Sequence, residues 1–266
     1  MRTRQSVGGA IRTALLIAEP HAKIMAARRV ARDWRLGRLE FVFDEPMPER
    51  PTRPARPELL PPNRMPKRGK GGSERTRRAL WHSLAHIEFV AIDLALDMAG
   101  RFGREMGEEF MSDFLAIAGE EAMHFALIDR HLAKMGSGYG ELPAHDGLWQ
   151  AAEETAHDVA ARLAIVPMVL EARGLDVTPA TLARVRAQGD EAGVRILERI
   201  LDDEIRHVAA GARHFAECAR KRDVHPESYW ISLVRRHFRG GLKPPFNDSA
   251  RSAAGLSLTA CAALAS

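Results

Sequence analysis

The stretches Glu120-Glu-Ala-Met-His124 and Asp202-Asp-Glu-Ile-Arg-His207 decide the fold that this sequence predicts. Each contains a Glu-x-x-His unit, and a spacing of three places both side chains on one face of a helix. A carboxylate and an imidazole on the same face can bind one metal ion between them. The stretches therefore predict two helices that each supply a pair of metal ligands: Glu121 with His124, and Glu204 with His207.

The Glu-x-x-His pattern is weak evidence when it stands alone. With 21 Glu and 11 His in 266 residues, composition alone gives about 0.9 occurrences, and the chain has three. A four-helix metal site needs one further Glu from each of two other helices. Glu88 and Glu171 each lie 33 residues before a motif glutamate. The equal offsets predict two similar helical hairpins.

The third Glu-x-x-His unit, Glu154 with His157, is interpreted as solvated surface. Glu121 also lies 33 residues before Glu154, so the offset does not exclude this unit. Its helix face is small and polar, however, whereas Glu88, Glu171 and the other two motif glutamates project from apolar stripes. An ionised carboxylate in an apolar core costs several kcal/mol unless a positive charge compensates it. Four such carboxylates in one core therefore predict about two divalent ions.

The predicted centre has an inner and an outer set of residues. An acid precedes each motif glutamate, where it could accept the ring N–H of a ligating histidine across the bundle. These acids are Glu120 and Asp203, and their alternative is an ordinary place on the helix surface. The predicted metal ligands are Glu88, Glu121, His124, Glu171, Glu204 and His207.

Charge is unevenly distributed along the chain. Residues 1–75 hold 17 Lys and Arg against 8 Asp and Glu, a net charge of +9, which leaves −5 for residues 76–266. A basic arm of this kind can contact nucleic acid or an anionic surface. Aromatic residues are few there and no RNA-binding motif is present, so solvated basic surface is the preferred interpretation.

The cysteines and the lengths of the apolar runs also indicate the cellular compartment that we expect. Cys218 and Cys261 form no Cys-x-x-Cys pair, which argues against a disulfide framework or a rubredoxin-type iron site. No uninterrupted apolar run approaches the length of a membrane span, and the start does not resemble a signal peptide. We therefore expect a cytoplasmic protein without a membrane partner.

Proline content divides the chain. Eight of the fifteen prolines lie within residues 46–66, which predicts an extended connector that could wrap the bundle. Residues 7–38 before it have the spacing of one or two amphipathic helices, with a boundary near Pro20. The predicted parts are a helical N-terminal extension (1–45), a proline-rich basic connector (46–72), a four-helix bundle (73–222), and a C-terminal loop and tail (223–266).

The first two bundle helices are predicted from caps and glycines. Helix one begins near Ser73 and runs to about Phe102, and helix two runs from about Gly107 to Met135. The midpoint between Glu88 and Glu121 falls at this turn. The two helices therefore form an antiparallel hairpin that brings the two carboxylates level.

The third helix must be interrupted. If helix three were straight and connected to helix two by a parallel crossover, the loop between them would have to span roughly 50 Å, at ~1.5 Å of helix per residue. The eleven loop residues 136–146 reach only about 36 Å at ~3.3 Å each. We therefore expect a break near residues 157–160, a kink at Pro167 and an end at Gly174. The remaining predictions are a short helix from Thr178-Pro179 to about Ala187, and helix four from Gly189-Asp190 to about Arg220.

At these residues the pattern resembles the ferritin-like di-iron carboxylate superfamily. Five stretches look more specifically like an uncharacterised bacterial ferritin-like family: His86-Ile-Glu88, Glu120 to Phe125, His145 to Trp149, Leu170 to Pro179 and Leu242 to Phe246. The resemblance implies an all-α, ferritin-like four-helix bundle with a crossover connection. It also implies two iron ions bridged by Glu121 and Glu204, with the other four ligands terminal.

Similarity to the tRNA-modifying hydroxylase branch implies O2 activation and hydroxylation of a C–H bond. Phe89, Phe114 and Phe125 either line a dry cavity for that chemistry or are simply core. The only tyrosines, Tyr139 and Tyr229, are not within a helical turn of a ligand, which disfavours a tyrosyl-radical role. With no electron-transfer module in the sequence, an external reductase is expected.

Three hypotheses remain from the sequence. The first is a di-iron oxidoreductase that acts on tRNA or a small metabolite, with Glu121 and Glu204 as the catalytic residues. The second is an iron-binding or ferroxidase-type protein without an organic substrate, and the third is a metal-free helical scaffold. Iron and manganese both suit the ligand set.

Overall fold

The computed structural model describes residues 5–66 and 72–265. Every long element in these ranges is a helix, and the strands Gln5–Ser6 (β1) and Leu39–Glu40 (β2) form one short parallel pair. This confirms the predicted all-α class. The described residues form two compact units, with unit 1 extending through Trp149 and unit 2 beginning at Gln150. Part of the predicted connector, residues 67–71, lies outside the described residues.

Unit 1 begins with two short helices, α1 (Val7–Leu15) and α2 (Pro20–Arg35). Glu19 caps α2 by accepting from the backbone N–H groups of its first turn, and Pro20 occupies the position where a missing N–H costs nothing. The prediction of helices within residues 7–38, with a boundary near Pro20, is confirmed.

The centre of unit 1 is the hairpin of α3 (Glu74–Met106) and α4 (Glu108–Lys134). Gly107 alone joins the two helices, and its φ of +95° is a backbone conformation that glycine adopts without strain. The helices therefore run antiparallel, as predicted. Helix α3 is long and apolar enough to cross a membrane, but 72% of its most apolar window is buried in the protein. Such burial is typical of a core helix in a soluble protein.

The proline-rich connector packs against unit 1. Thr52 donates its backbone N–H to Leu15, and the backbone of residues 58–60 exchanges two hydrogen bonds with Ala144. Lys23, fully buried on α2, donates to Asp93 of α3 at 2.6 Å and to the Thr52 carbonyl at 3.1 Å. The connector is thus held by backbone pairing and by a buried charge. Its one described helical turn is the 3-10 segment Pro62–Arg64.

The third predicted helix is interrupted where expected. Helix α5 (Gly147–Glu154), which crosses the boundary between the units, ends before a turn, and α6 (Val159–Ile165) begins with Asp158 as its cap. A π-helical segment, Val166–Glu171, follows and contains Pro167. Trp230 donates to the carbonyl of Ala164 just before it, at 3.1 Å.

The predicted helix end at Gly174 and the predicted helix start at Thr178-Pro179 are both wrong. Helix α7 runs without interruption from Ala172 to Ala187 and contains Pro179 in its interior. Pro179 has no N–H to donate to the carbonyl of Leu175, and the side-chain amide of Asn247 donates to that carbonyl instead, at 3.1 Å. A hydrogen bond from a distant residue therefore lets the helix continue.

The remaining described residues of unit 2 include one long and three shorter helices. Helix α8 opens at its Asp190 cap, as predicted, and the loop before Asn247 packs against α7, where Arg173 donates to the Lys243 carbonyl at 2.6 Å. Two of the stretches that suggested the family resemblance therefore contact each other. The helices are α8 (Glu191–Lys221), α9 (Pro226–His237), α10 (Asp248–Ala253) and α11 (Leu258–Ala263).

Candidate metal centre

Unit 1 brings three of the predicted ligands together on facing turns of the α3–α4 hairpin. The Nδ1 atom of His124 lies 3.2 Å from Glu121 Oε2 and 3.3 Å from Glu88 Oε2. Ligand atoms of these three residues all lie within 4.8 Å of one another. All three side chains are buried. Two carboxylates and one imidazole nitrogen thus converge on one small volume.

The electrostatics of this cluster favour a bound cation. Burial raises the pKa of Glu88 well above its ordinary value, and the neighbouring Glu121 carboxylate raises it further, while His124 lowers it. Two carboxylates without water around them repel each other and lose hydration. A divalent ion at the convergence point would offset both costs, so the donor set fits a metal.

Unit 2 presents the second motif in the same local way. On α8, the Nδ1 atom of His207 lies 3.8 Å from Glu204 Oε1, and both residues are buried or nearly so. In each motif, Nδ1 is therefore the imidazole nitrogen that faces its own glutamate. Glu171, the remaining predicted ligand, is the last residue of the π-helical segment. Single-turn π-helices are frequent at functional sites.

The two predicted outer acids have different surroundings. Asp203 is buried and accepts from Arg199 Nε at 2.6 Å and also from Arg206, both on its own helix. Glu120 is half-buried on α4. A contact from either acid to a ligating histidine stays a prediction.

The rejected motif lies in solvent. Glu154 is the exposed last residue of α5, and His157 is exposed in the turn that follows. Such a pair has no apolar surroundings to make a metal necessary. The interpretation as solvated surface is confirmed.

The sequence did not reveal that Tyr139 packs onto the hairpin that carries this cluster. Its ring centroid lies 5.2 Å from that of Phe89 and 5.0 Å from that of Phe125, the residues that follow Glu88 and His124. Its hydroxyl lies 3.0 Å from Nδ1 of His86. Tyr139 is remote from every ligand along a helix, so helical spacing could not find it. Phe89, Phe114 and Phe125 are themselves buried core residues.

The fold and the cluster together define an all-helical protein with a buried carboxylate and imidazole site that can hold a metal ion. The chain belongs to the family described as Protein of unknown function (DUF455), which residues 16–262 match. It is 38% identical, over 257 residues, to an uncharacterized protein of Haemophilus influenzae, with 92% of this chain and 88% of the relative covered. No solved structure matches the chain.

Proposed function

We propose that this protein is a di-iron carboxylate oxidoreductase that activates O2 and hydroxylates a C–H bond of tRNA or a small metabolite. The observation that carries the proposal is the buried convergence of Glu88, Glu121 and His124, in which Glu88 has a raised pKa. Two carboxylates and an imidazole in an apolar core are costly without a cation. The resemblance to ferritin-like di-iron proteins agrees with this chemistry.

The second half of the proposed centre rests on the internal symmetry of the sequence. Both Glu-x-x-His units are helical, and each is preceded by a glutamate at the same 33-residue offset. In both units the motif histidine presents Nδ1 to its glutamate. We propose that the six predicted ligands would hold two ions.

Each group of residues has a role in the proposed reaction. When bound, a pair of Fe(II) ions supplies electrons for the reduction of O2. Hydroxylation of one C–H bond consumes one O2, two electrons in total and two protons, and it releases one water, so an external reductase must supply two electrons for each turnover. Glu121 and His124 present a carboxylate and an imidazole where water is excluded, and the rings of Phe89 and Phe125, 5.4 Å apart, keep the surroundings of the site apolar.

The ligand set also supports a second function, the binding or oxidation of iron without an organic substrate. Carboxylates and imidazoles suit iron and manganese equally. The two functions differ in coupling, because only an oxygenase consumes O2 in proportion to a hydroxylated product. We propose that either activity takes place in the cytoplasm.

Metal analysis tests the site directly. We expect about two iron or manganese ions per chain, as in four-helix carboxylate sites, in protein purified without chelator or loaded anaerobically with Fe(II). The Glu121→Ala, Glu204→Ala double variant should lose them. The matched control is Glu154→Ala, which alters the exposed third motif and should keep the full metal content. A parent protein that holds no stoichiometric metal after Fe(II) loading would exclude the proposal.

Oxygen consumption then separates the two functions. Fe(II)-loaded protein with a chemical reductant is supplied with tRNA or with fractionated metabolites, and O2 uptake is compared with product formation by mass spectrometry. A product heavier by one oxygen atom from ¹⁸O2 supports the hydroxylase. Iron oxidation with no labelled product supports the iron-handling alternative.

A further inference from the structure

A cavity of about 320 Å³ opens in unit 1 beside the proline-rich connector. Pro54, Pro57 and Leu59 of the connector form an apolar part of its wall, and His86 and Tyr139 contribute two rings. This volume is at the lower end of the range for small-molecule sites. No residue of the metal cluster lines the cavity.

Arg53 lines the cavity, and its guanidinium has hydrogen-bond donors without acceptors among the described residues. Its Nη1 and Nη2 atoms are buried, and neither finds a hydrogen-bond acceptor within the described ranges of the chain. Nη1 lies 3.3 Å from Asp93 Oδ2, an ion pair that holds the guanidinium in place. The guanidinium carbon also lies 5.6 Å from the Phe89 ring centroid and 6.0 Å from that of Trp149. Buried donors without acceptors cost free energy, which a ligand could recover.

The His86–Tyr139 pair sets the polarity of another part of the wall. His86 Nε2 lies 3.1 Å from the carbonyl oxygen of His145, so Nε2 must carry the ring proton. Nδ1 is then the acceptor, and the Tyr139 hydroxyl donates to it. The Tyr139 oxygen keeps its lone pairs, and Tyr139 is one of the residues that line the cavity. This wall therefore offers a flat surface and no further donor.

The net charge around the cavity limits the kind of anion. Asp146 is paired with Arg50, and Glu58 is an exposed carboxylate at the rim. Both acids would repel a doubly charged phosphate, whereas a single carboxylate needs only the two guanidinium nitrogens Nη1 and Nη2 of Arg53. Guanidinium and carboxylate groups match in a planar, two-bonded geometry.

We infer that this cavity binds a small organic molecule that carries one carboxylate and a flat apolar body. The carboxylate accepts from Nη1 and Nη2 of Arg53, and the body packs between the connector prolines and the Tyr139 ring. His86 and Glu88 are two positions apart, so they project from different sides of α3. The site is therefore separate from the metal cluster, and its occupation does not depend on a bound metal.

The test is calorimetric titration of the full-length protein with benzoate, its uncharged counterpart benzamide, and phenyl phosphate. We expect one benzoate per chain with a dissociation constant on the order of 1 mM, and at least ten-fold weaker binding of both other compounds. Absence of benzoate binding up to about 20 mM, which corresponds to only ~2 kcal/mol of binding free energy, would overturn the inference. Phenyl phosphate that binds more tightly than benzoate would overturn the choice of carboxylate.

Three variants locate the binding. Arg53→Lys keeps a positive charge near Asp93 but removes the fork, and it should weaken benzoate binding at least ten-fold. Leu59→Trp leaves the Arg53–Asp93 pair intact and fills the cavity from an exposed connector position, so it should abolish binding without loss of folding. The matched control is Arg56→Lys on the same connector, which lies outside the cavity wall and should bind like the parent. Benzoate binding that survives both Arg53→Lys and Leu59→Trp would contradict the assignment.

Discussion

At the scale of single residues, Glu88 illustrates a conflict between stability and metal binding. Its carboxylate is buried beside Glu121, and both burial and that neighbouring charge raise its pKa. For an acid whose pKa is raised on folding, stability is lost as the pH rises above the ordinary value near 4.5, because only the unfolded chain then ionises easily. The metal-free protein should therefore be less stable at neutral pH than it would be with a neutral residue in place of Glu88.

Glu88→Gln tests this conflict because it removes the charge and keeps the shape. In the presence of chelator at pH 7.5, we expect the variant to be more stable than the parent by about 1–3 kcal/mol, and this difference should shrink near pH 4.5. With Fe(II) bound under anaerobic conditions the order should reverse, because a ligand is missing. Thermal unfolding at both pH values measures the change, with the exposed Glu154→Gln as control. A Glu88→Gln protein that is less stable than the parent without metal would contradict the argument.

The residue scale also shows what helical spacing can and cannot predict. The convergence of Glu88, Glu121 and His124 followed from the motif, its offset and one glycine turn. The place of Tyr139 did not, because the loop after α4 returns its ring onto Phe89 and Phe125 through contacts that no local pattern encodes. The hydrogen-bond donors of Arg53 could not be predicted from the sequence either, because their surroundings depend on how the extended connector packs.

At the scale of elements, helix α7 shows how a tertiary hydrogen bond can overrule a local rule. A glycine at 174 followed by Thr178-Pro179 ordinarily predicts a helix end and a new start. Here Asn247, 72 positions after Leu175, donates to the carbonyl that Pro179 cannot satisfy. Thr178 also donates its hydroxyl to the Gly174 carbonyl at 2.7 Å. The break within residues 155–158 was predictable, since it followed from the reach of the chain, whereas the donor at 247 had no sequence signal.

A double-mutant cycle measures that hydrogen bond. Asn247→Ala should destabilise the protein by about 1–3 kcal/mol, because it leaves the Leu175 carbonyl without its donor and removes the cap of α10. Pro179→Ala restores a backbone N–H that can bond to the same carbonyl. In that background we expect Asn247→Ala to cost less by about 1 kcal/mol. Chemical denaturation of the four proteins gives the coupling, and additive effects would show that Asn247 does not replace the missing donor.

At the scale of each whole unit, the buried Lys23–Asp93 ion pair connects the N-terminal helices of unit 1 to its central hairpin. Lys23 donates to Asp93 and to backbone carbonyls of α1 and the connector, with no exposure to solvent. Lys23→Met should destabilise the protein by about 3–5 kcal/mol, because it leaves Asp93 short of a compensating charge. The Lys23→Met, Asp93→Leu protein should recover only part of that loss, because Arg53 then lacks its ion pair with Asp93. Denaturant unfolding checks both, and a double variant no more stable than Lys23→Met would argue that the pair is needed for more than charge balance.

Metal bound by the six proposed ligands should protect the segments that carry them. A ligand that binds only the folded state stabilises that state against opening. We expect Fe(II), added anaerobically, to slow amide hydrogen exchange in residues 84–92 and 117–128 of unit 1 and in residues 167–175 and 200–208 of unit 2. Glu121→Ala should lose the protection of the two segments in unit 1, because it removes a ligand on α4, while Glu154→Ala should keep the full pattern. Exchange that does not change in either unit when Fe(II) is added would exclude metal binding by these residues.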